Sequence, residues 1–186
     1  LFPTTATIFY RYQGGWKKVY SKNLPKKEIA LIKKAFQEAF QEIGYVKPNK
    51  VYGKTLEDRG TQVTFSALGQ DVVSVLGRKG VLLKKQWRDK NQALKIRLAK
   101  AVQKRLPHLE VRAAGYTSID VTRKGIDKEY GIRQIKKYLK IPLKDMLFVG
   151  DALYPGGNDY AALRTGVPCI EVKDPEAAKK IIRFLI

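Results

Sequence analysis

Residues 146–172 read MLFVGDALYPGGNDYAALRTGVPCIEV, and the order of residue types in this stretch decides the fold. Residues 146–150 are an apolar run closed by a glycine, the pattern of a short buried strand. Asp151 follows at its C-terminal tip, Pro155-Gly156-Gly157 makes a tight turn, and Asn158 and Asp159 open a helix. Residues 168–172 are a second apolar strand, with the composition of a buried one and Cys169 in its middle. Strands apolar on both faces, alternating with helices, specify a parallel sheet covered on both sides. In open parallel sheets ligands sit beyond the C-terminal ends of the strands. Asp151 is therefore placed where a ligand would bind. A carboxylate there suits a hard cation such as magnesium, which takes oxygen ligands and keeps waters and phosphate oxygens. Asn158 and Asp159 are positioned to shape such a site, and Asp159 reads equally as a helix N-cap.

Working outward, residues 127–140 (DKEYGIRQIKKYLK) form a helix that brings Lys128 to its first turn. A cation is disfavoured at that end of a helix dipole. It is explained by a phosphate or aspartate across the site, or by a place among the many surface lysines. Residues 174–186 form a last helix, with Asp174 at the N-cap and Pro175 at the first helical position. Two strands are too few for a parallel sheet. The others are expected from the N-terminal strand or from a segment ahead of Leu1, where the chain starts without Met and directly in an apolar stretch.

The first two-thirds has another style. Residues 5–12 and 16–21 flank Gln13-Gly14-Gly15, a hairpin signal. Ile29, Ile32, Phe36, Phe40 and Ile43 recur at helical spacing, and Gly44 suits the stop. Val63, Phe65 and Ala67 alternate with Gln62, Thr64 and Ser66, the pattern of a half-buried strand. Residues 71–88 fit no clean period and read as an irregular excursion or small hairpin. Residues 89–106 are helical, with Ala93, Ile96, Ala99, Val102 and Leu106 on one stripe. Residues 109–115 and 117–122 are short strands; in the second, Ser118, Asp120 and Thr122 share one face. Hairpins and helices together make an α+β layer, an open antiparallel sheet with helices on one face.

Composition sets limits. The chain has 186 residues, enough for one large or two small domains, and 44% hydrophobic residues, as globular chains do. No apolar run approaches the roughly 20 residues of a membrane span. A single cysteine excludes an internal disulfide and fits a reducing cytoplasm. His108 is the only histidine, which argues against a zinc cluster or a histidine-based triad. Thirty-seven basic against 17 acidic residues give a formal charge of +20, a field that attracts anions. The lysine pairs are spread over the chain and mostly on helix polar sides, so a solvated lysine-rich surface is the simplest account. No nucleic-acid-binding motif accompanies the charge, and Trp16, Trp87 and the ten tyrosines sit mostly at core spacing.

Taken together, GIDKEYGIRQI (125–135) and LFVGDALYPGGNDYAALRTG (147–166) resemble motifs three and four of the haloacid dehalogenase superfamily. The Pro-Gly-Gly-Asn-Asp loop is similar to that of its phosphomannomutase and sugar-phosphate phosphatase branch. EDRGTQVTFSALGQ (57–70) and TSIDVTRKGIDK (117–128) extend the likeness over most of the chain. The resemblance implies an α/β architecture: a Rossmann-like core with a parallel sheet and flanking helices, plus a mobile α+β cap with an open antiparallel sheet. Residues 1–12 would be a residual core strand and crossover, 13–121 the cap, and 122–186 the C-terminal half of the core. It implies a magnesium-dependent enzyme acting on a phosphorylated sugar, and a homodimer formed through the cap. Lys128 would steady the nucleophile and phosphate, Asp151 would hold magnesium, and Asn158 and Asp159 would shape the metal site. In the cap, Arg59 would contact substrate phosphate, with Gln70 beside it and Ser118 and Asp120 toward the sugar. Arg59 reads equally as a surface ion pair with Glu57 or Asp58.

Two departures matter. Phosphomannomutases tend to carry an arginine where this chain has Gln70, and a further cap arginine has no clear counterpart beyond a guess at Arg78. Fewer guanidiniums to clamp phosphate weaken the case for a mutase. The nine aspartates include no Asp-x-Asp pair, which the family uses as nucleophile and acid/base. The chain alone is thus expected to be inactive, as part of a longer phosphomutase or phosphatase. The alternative is a non-catalytic basic module that binds anions or nucleic acid.

Overall fold

The computed structural model describes residues 1–185. The chain divides into two units. One runs from Thr7 to Gly125 and includes Leu1 and Pro3; the other runs from Ile126 onward and includes Phe2 and Thr4–Ala6. The single turn Pro3–Ala6 (α1) carries Thr4 and Thr5 at positive φ (50° and 57°).

In the first unit, strands β1 (Ile8–Tyr12) and β2 (Trp16–Ser21) form the expected antiparallel hairpin, with Tyr12 opposite Trp16. β1 lies within this first unit and, among the described residues, pairs with β2 alone. Helix α2 (Lys26–Ile43) buries Ile29, Ile32, Ala35, Phe36 and Ala39 and ends on Gly44 at φ 64°. Strands β3 (Leu56–Asp58), β4 (Val63–Ser66), β5 (Leu109–Ala114) and β6 (Ser118–Arg123) form an antiparallel sheet in the order β3-β4-β6-β5. Val63 lies opposite Val121 and Phe65 opposite Ile119. This apolar face shares one core with α2 and the long helix described next. Phe65 sits amid three rings, with centroids 5.6 Å from Phe36, 5.2 Å from Phe40 and 5.7 Å from Tyr45.

Three readings of this unit need correction. Residues 71–88 are helical, forming α3 (Val72–Leu76) and the start of α4 (Arg78–Arg105). Gly77, at φ 55° and ψ −130°, breaks the chain between them. Val73, Val75 and Leu82 are exposed, so the apolar positions follow no single stripe. Gly80 explains how the two helices fit: a Cβ there would stand 2.4 Å from the carbonyl oxygen of Val72. The buried stripe of α4 is also rotated. Lys95, Leu98, Ala99 and Val102 face in, while Ile96 is 40% exposed and Ala93 is exposed as well. Lys95 is buried because its Nζ donates to the Gly115 carbonyl at 2.8 Å. Burial, and then the Arg88 charge, push its pKa below the usual lysine value. Finally, the polar face of β4 is as buried as the apolar one: Gln62, Thr64 and Ser66 are 2%, 3% and 1% exposed. Hydrogen bonds among these side chains make that burial tolerable.

The second unit has α5 (Lys128–Leu139), a 3₁₀ turn at Leu143–Asp145, β7 (Phe148–Gly150), α6 (Tyr160–Leu163), β8 (Cys169–Glu171) and α7 (Pro175–Leu185). β7 and β8 are parallel, with Phe148 opposite Cys169. Ile132, Ala162 and Val167 form the core, with Leu143, Met146, Phe148 and Cys169 packed on it. The Asp174 carboxylate caps α7, accepting from the Ala177 N–H at 2.8 Å. The second strand is less buried than its sequence suggested. Ile170 is 40% exposed and Cys169 only partly buried, because β8 has a single neighbour in the sheet. Among the described residues no helix is long and apolar enough to cross a membrane.

Phe65→Ala removes a ring that three others contact, and should destabilise the first unit by about 3–5 kcal/mol in urea unfolding. A loss well below that range would mean the aromatic cluster is not its packing centre.

Candidate functional site

The tip of β7 is built around one buried carboxylate. Asp159 is 5% exposed. It stands at the N-cap position of α6, but its side chain caps nothing. Its Oδ2 instead accepts from the backbone N–H of Asp151 at 3.1 Å, and its Oδ1 lies 3.7 Å from Lys128 Nζ. The N-cap alternative for Asp159 is therefore replaced by a bridge from the strand tip to the start of α5. Gly150 makes room for it: a Cβ there would stand 2.5 Å from Asp159 Oδ2 and 2.8 Å from Phe148 Cε1. The loop folds back on itself, with the Gly157 N–H bonded to the Tyr154 carbonyl at 2.8 Å and the Asp159 N–H to the Ala152 carbonyl at 3.2 Å.

Lys128 is held by its neighbours. Asp127 caps α5 by accepting from the Tyr130 N–H at 3.0 Å. Arg164, just past α6, donates to Asp127 Oδ2 at 2.7 Å and to Glu129 Oε2 at 2.8 Å. Glu129 also accepts from Arg133 at 2.8 Å. The Arg164 and Arg133 guanidiniums hold the Glu129 carboxyl below its usual range. Sequence reading missed this clamp. The only local signal was the i,i+4 spacing of Glu129 and Arg133; Arg164 is too far along the chain to be paired by spacing.

Asp151 is exposed at the end of β7, and Asn158 is exposed on the loop. The donors here are hard oxygens, which fit magnesium. They are a partial set: among the described residues no three histidine, cysteine or acidic side chains converge as a metal cluster.

In the first unit, the polar sheet face gathers the other candidates. Thr64 is opposite Asp120, which is opposite Arg112; Ser66 is opposite Ser118. Thr64 Oγ1 donates to Asp120 Oδ1 at 2.8 Å and accepts from Gln62 Nε2 at 2.8 Å. Arg59 donates through Nε to Glu57 at 2.6 Å and through Nη2 to Gln70 Oε1 at 3.2 Å. Gln70 in turn donates to the Thr64 carbonyl at 3.3 Å. Arg59 thus makes the expected ion pair and also joins Gln70. The structure brings Arg59, Gln70 and Asp120 into one network through Thr64; Ser118 lies on the same face, partly buried. Arg78, the guess for a further arginine, falls at the start of α4. His108 is half-exposed and meets Glu28 at 3.2 Å.

Burial raises the Asp120 pKa; the Thr64 hydrogen bond, the Arg59 charge, Gln62 and Arg112 oppose it without cancelling it. The folded state therefore holds this proton more tightly than the unfolded chain. Stability falls as pH rises from the ordinary aspartate value near about 4 through the raised folded value. Asp120→Asn keeps an acceptor for Thr64 and carries no charge. Its melting temperature should exceed the parent's at neutral pH, with the gap closing on acidification toward about pH 4. A gap that widens on acidification would mean that ionised Asp120 stabilises the fold.

Comparison with known proteins bears on both units. Several solved structures share the fold. An IMP-bound mutant of the Plasmodium falciparum IMP-nucleotidase aligns with TM-score 0.59 and 13% identity, over 96% of this chain and 46% of that one. An N-terminally truncated form of that protein gives 0.57 and 16%, over 96% and 47%. A subclass IIB sugar phosphatase of the haloacid dehalogenase superfamily gives 0.51 and 17%, over 97% and 73%. The chain thus spans about half the length of the IMP-nucleotidase structures it matches. No curated protein matches it. The haloacid dehalogenase-like hydrolase family matches residues 6–165, most of the chain and both of its units, and this chain belongs to that family.

Proposed function

We propose that these residues form the lysine-and-metal half of a phosphoryl-transfer site acting on a phosphorylated sugar. The observation that carries the proposal is the buried Asp159 carboxylate, held between the Asp151 N–H and Lys128 Nζ at a strand tip. Asp159 keeps the ammonium aimed, and Lys128 remains more than a third exposed and able to meet phosphate oxygens. Asp151 is the ligand for magnesium, with Asn158 and Asp159 supporting it. Magnesium, when bound, would neutralise charge on the phosphate oxygens. Lys128 stabilises the charge that develops on transfer. The nine aspartates include no Asp-x-Asp pair, so we assign the attacking carboxylate to sequence outside these residues.

In the first unit we assign Arg59, Gln70, Ser118 and Asp120 to recognition of a phosphorylated sugar. Hydrolysis is favoured over interconversion of mannose 1-phosphate and 6-phosphate. A mutase must clamp a second phosphate, whereas the Arg59 guanidinium is already engaged by Glu57, and its neighbour is the neutral Gln70.

The test uses the protein with any sequence encoded ahead of Leu1. It should release phosphate from a sugar-phosphate panel with magnesium, and lose that activity in chelator. Asp151→Asn and Lys128→Met should each lower kcat by about 100-fold or more while the fold survives. Near-parental turnover in either variant would remove that residue from the site. Release of phosphate from IMP but from no sugar phosphate would keep the chemistry and overturn the substrate class. Mannose 1-phosphate converted to the 6-phosphate without net phosphate release would establish the mutase.

A further inference from the structure

The β1–β2 hairpin has no part in the site above, and its surface is unusual. Phe9 is buried at its base, but the outer half is exposed: Tyr12 is 64% and Trp16 57% exposed. Core packing is the expectation for Trp16, and the structure overturns it: β2 belongs to a two-stranded sheet, paired with β1, and its first four residues are exposed. Register puts Tyr10 opposite Lys18 and Tyr12 opposite Trp16. Residues two apart share a face, so Tyr10, Tyr12, Trp16 and Lys18 lie together. The Tyr12 and Trp16 rings stand edge to face at 5.3 Å, and Lys18 Nζ lies 5.9 Å from the Tyr10 ring centre. Arg11 and Lys17, paired across the strands, occupy the opposite face.

Charge identifies the occupant. Residues 1–27 hold six basic residues and no acidic one. Among the described residues, Arg11, Lys17 and Lys18 enter no salt bridge. A two-stranded hairpin is marginal in water, and exposed rings on it gain most from a partner that stacks on them. Three aromatic rings on one face, with Lys18 among them and Arg11 and Lys17 on the other face, suit a polyanion with flat, stackable groups. Cation–ring contacts occur elsewhere too, at Lys85 with Tyr116 and Lys137 with Tyr138, but there each is a single ring, whereas the hairpin sets three on one face.

We propose that this hairpin is a stacking platform for single-stranded nucleic acid. Tyr10, Tyr12 and Trp16 take bases, and Arg11, Lys17 and Lys18 take backbone phosphates. The platform is independent of the phosphoryl-transfer reading and requires no turnover.

The test is binding of a labelled oligothymidylate, about 8–16 nucleotides long, to the full chain by fluorescence anisotropy. Trp16→Ala and Tyr12→Ala should each weaken binding about tenfold without changing net charge. Lys17→Ala with Lys18→Ala should reduce the slope of log affinity against log salt by about 1.4. Lys33→Ala with Lys34→Ala on α2 removes equal charge and should leave the hairpin's contribution intact. In a Trp87→Phe background, Trp16 emission should change on oligonucleotide binding. Oligonucleotide binding that survives both ring substitutions overturns the proposal, as does equal weakening by the two lysine pairs, since either reports general charge. Binding of heparin or anionic phosphatidylserine vesicles that depends more strongly on Trp16 than oligonucleotide binding does also overturns it, in favour of another polyanion or a membrane surface.

Discussion

A buried carboxylate must be partnered, and in this chain the partnering of Asp159 organises the second unit. The charge cannot be left bare in a place only 5% exposed. It takes one hydrogen bond from the backbone just after β7 and one ion pair from the first residue of α5. Each contact ties a different element to the same point. Gly150 must lack a side chain for the carboxylate to reach the strand tip, and the loop must turn back for Asp159 to arrive there. Arg164 completes the arrangement from behind by holding both acidic neighbours of Lys128. The lysine sits at an electrostatically unfavourable end of its helix, and the acids on either side of it, with Asp159 in front, offset that cost.

The first unit answers a different constraint. Its sheet has an aliphatic and aromatic face against two helices and a polar face that is also hidden from water. Hiding the polar face is possible because Gln62, Thr64 and Asp120 satisfy one another, with Arg59 and Gln70 joined through the Thr64 backbone. The network has a cost: Asp120 retains a raised pKa, so its ionisation works against burial. Buried polar groups with residual strain of this kind concentrate where ligands are recognised.

What the sequence made legible was local. The strand, turn and helix of residues 146–166 could be read because apolar run, glycines and acids lie within one turn-sized window, and Lys128 stood out through its position on a helix. The alternation of Ser118, Asp120 and Thr122 translated directly into one sheet face. What escaped was long-range. Lys95 faces inward because a hairpin turn 20 residues away offers it a carbonyl, so the α4 stripe could not be phased from hydrophobicity alone. Residues 71–88 looked irregular because α3 and α4 touch through backbone at Gly80, where no side-chain pattern records the contact. Arg164 escaped for the same reason as Lys95: its partners lie 35 and 37 residues back in the chain.

The period-two alternation in β4 and β6 also separates two kinds of evolutionary freedom. Residues 63, 65, 119 and 121 are answerable to the helices, while 62, 64, 118 and 120 are answerable to whatever the polar face meets. A lineage could rewrite the second set and acquire a new ligand without disturbing the aromatic cluster beneath. Drift in the first set would erode the scaffold without redirecting it. Sheet pleating alone, with no additional loop or domain, thus makes this unit a replaceable reading head on a fixed mount.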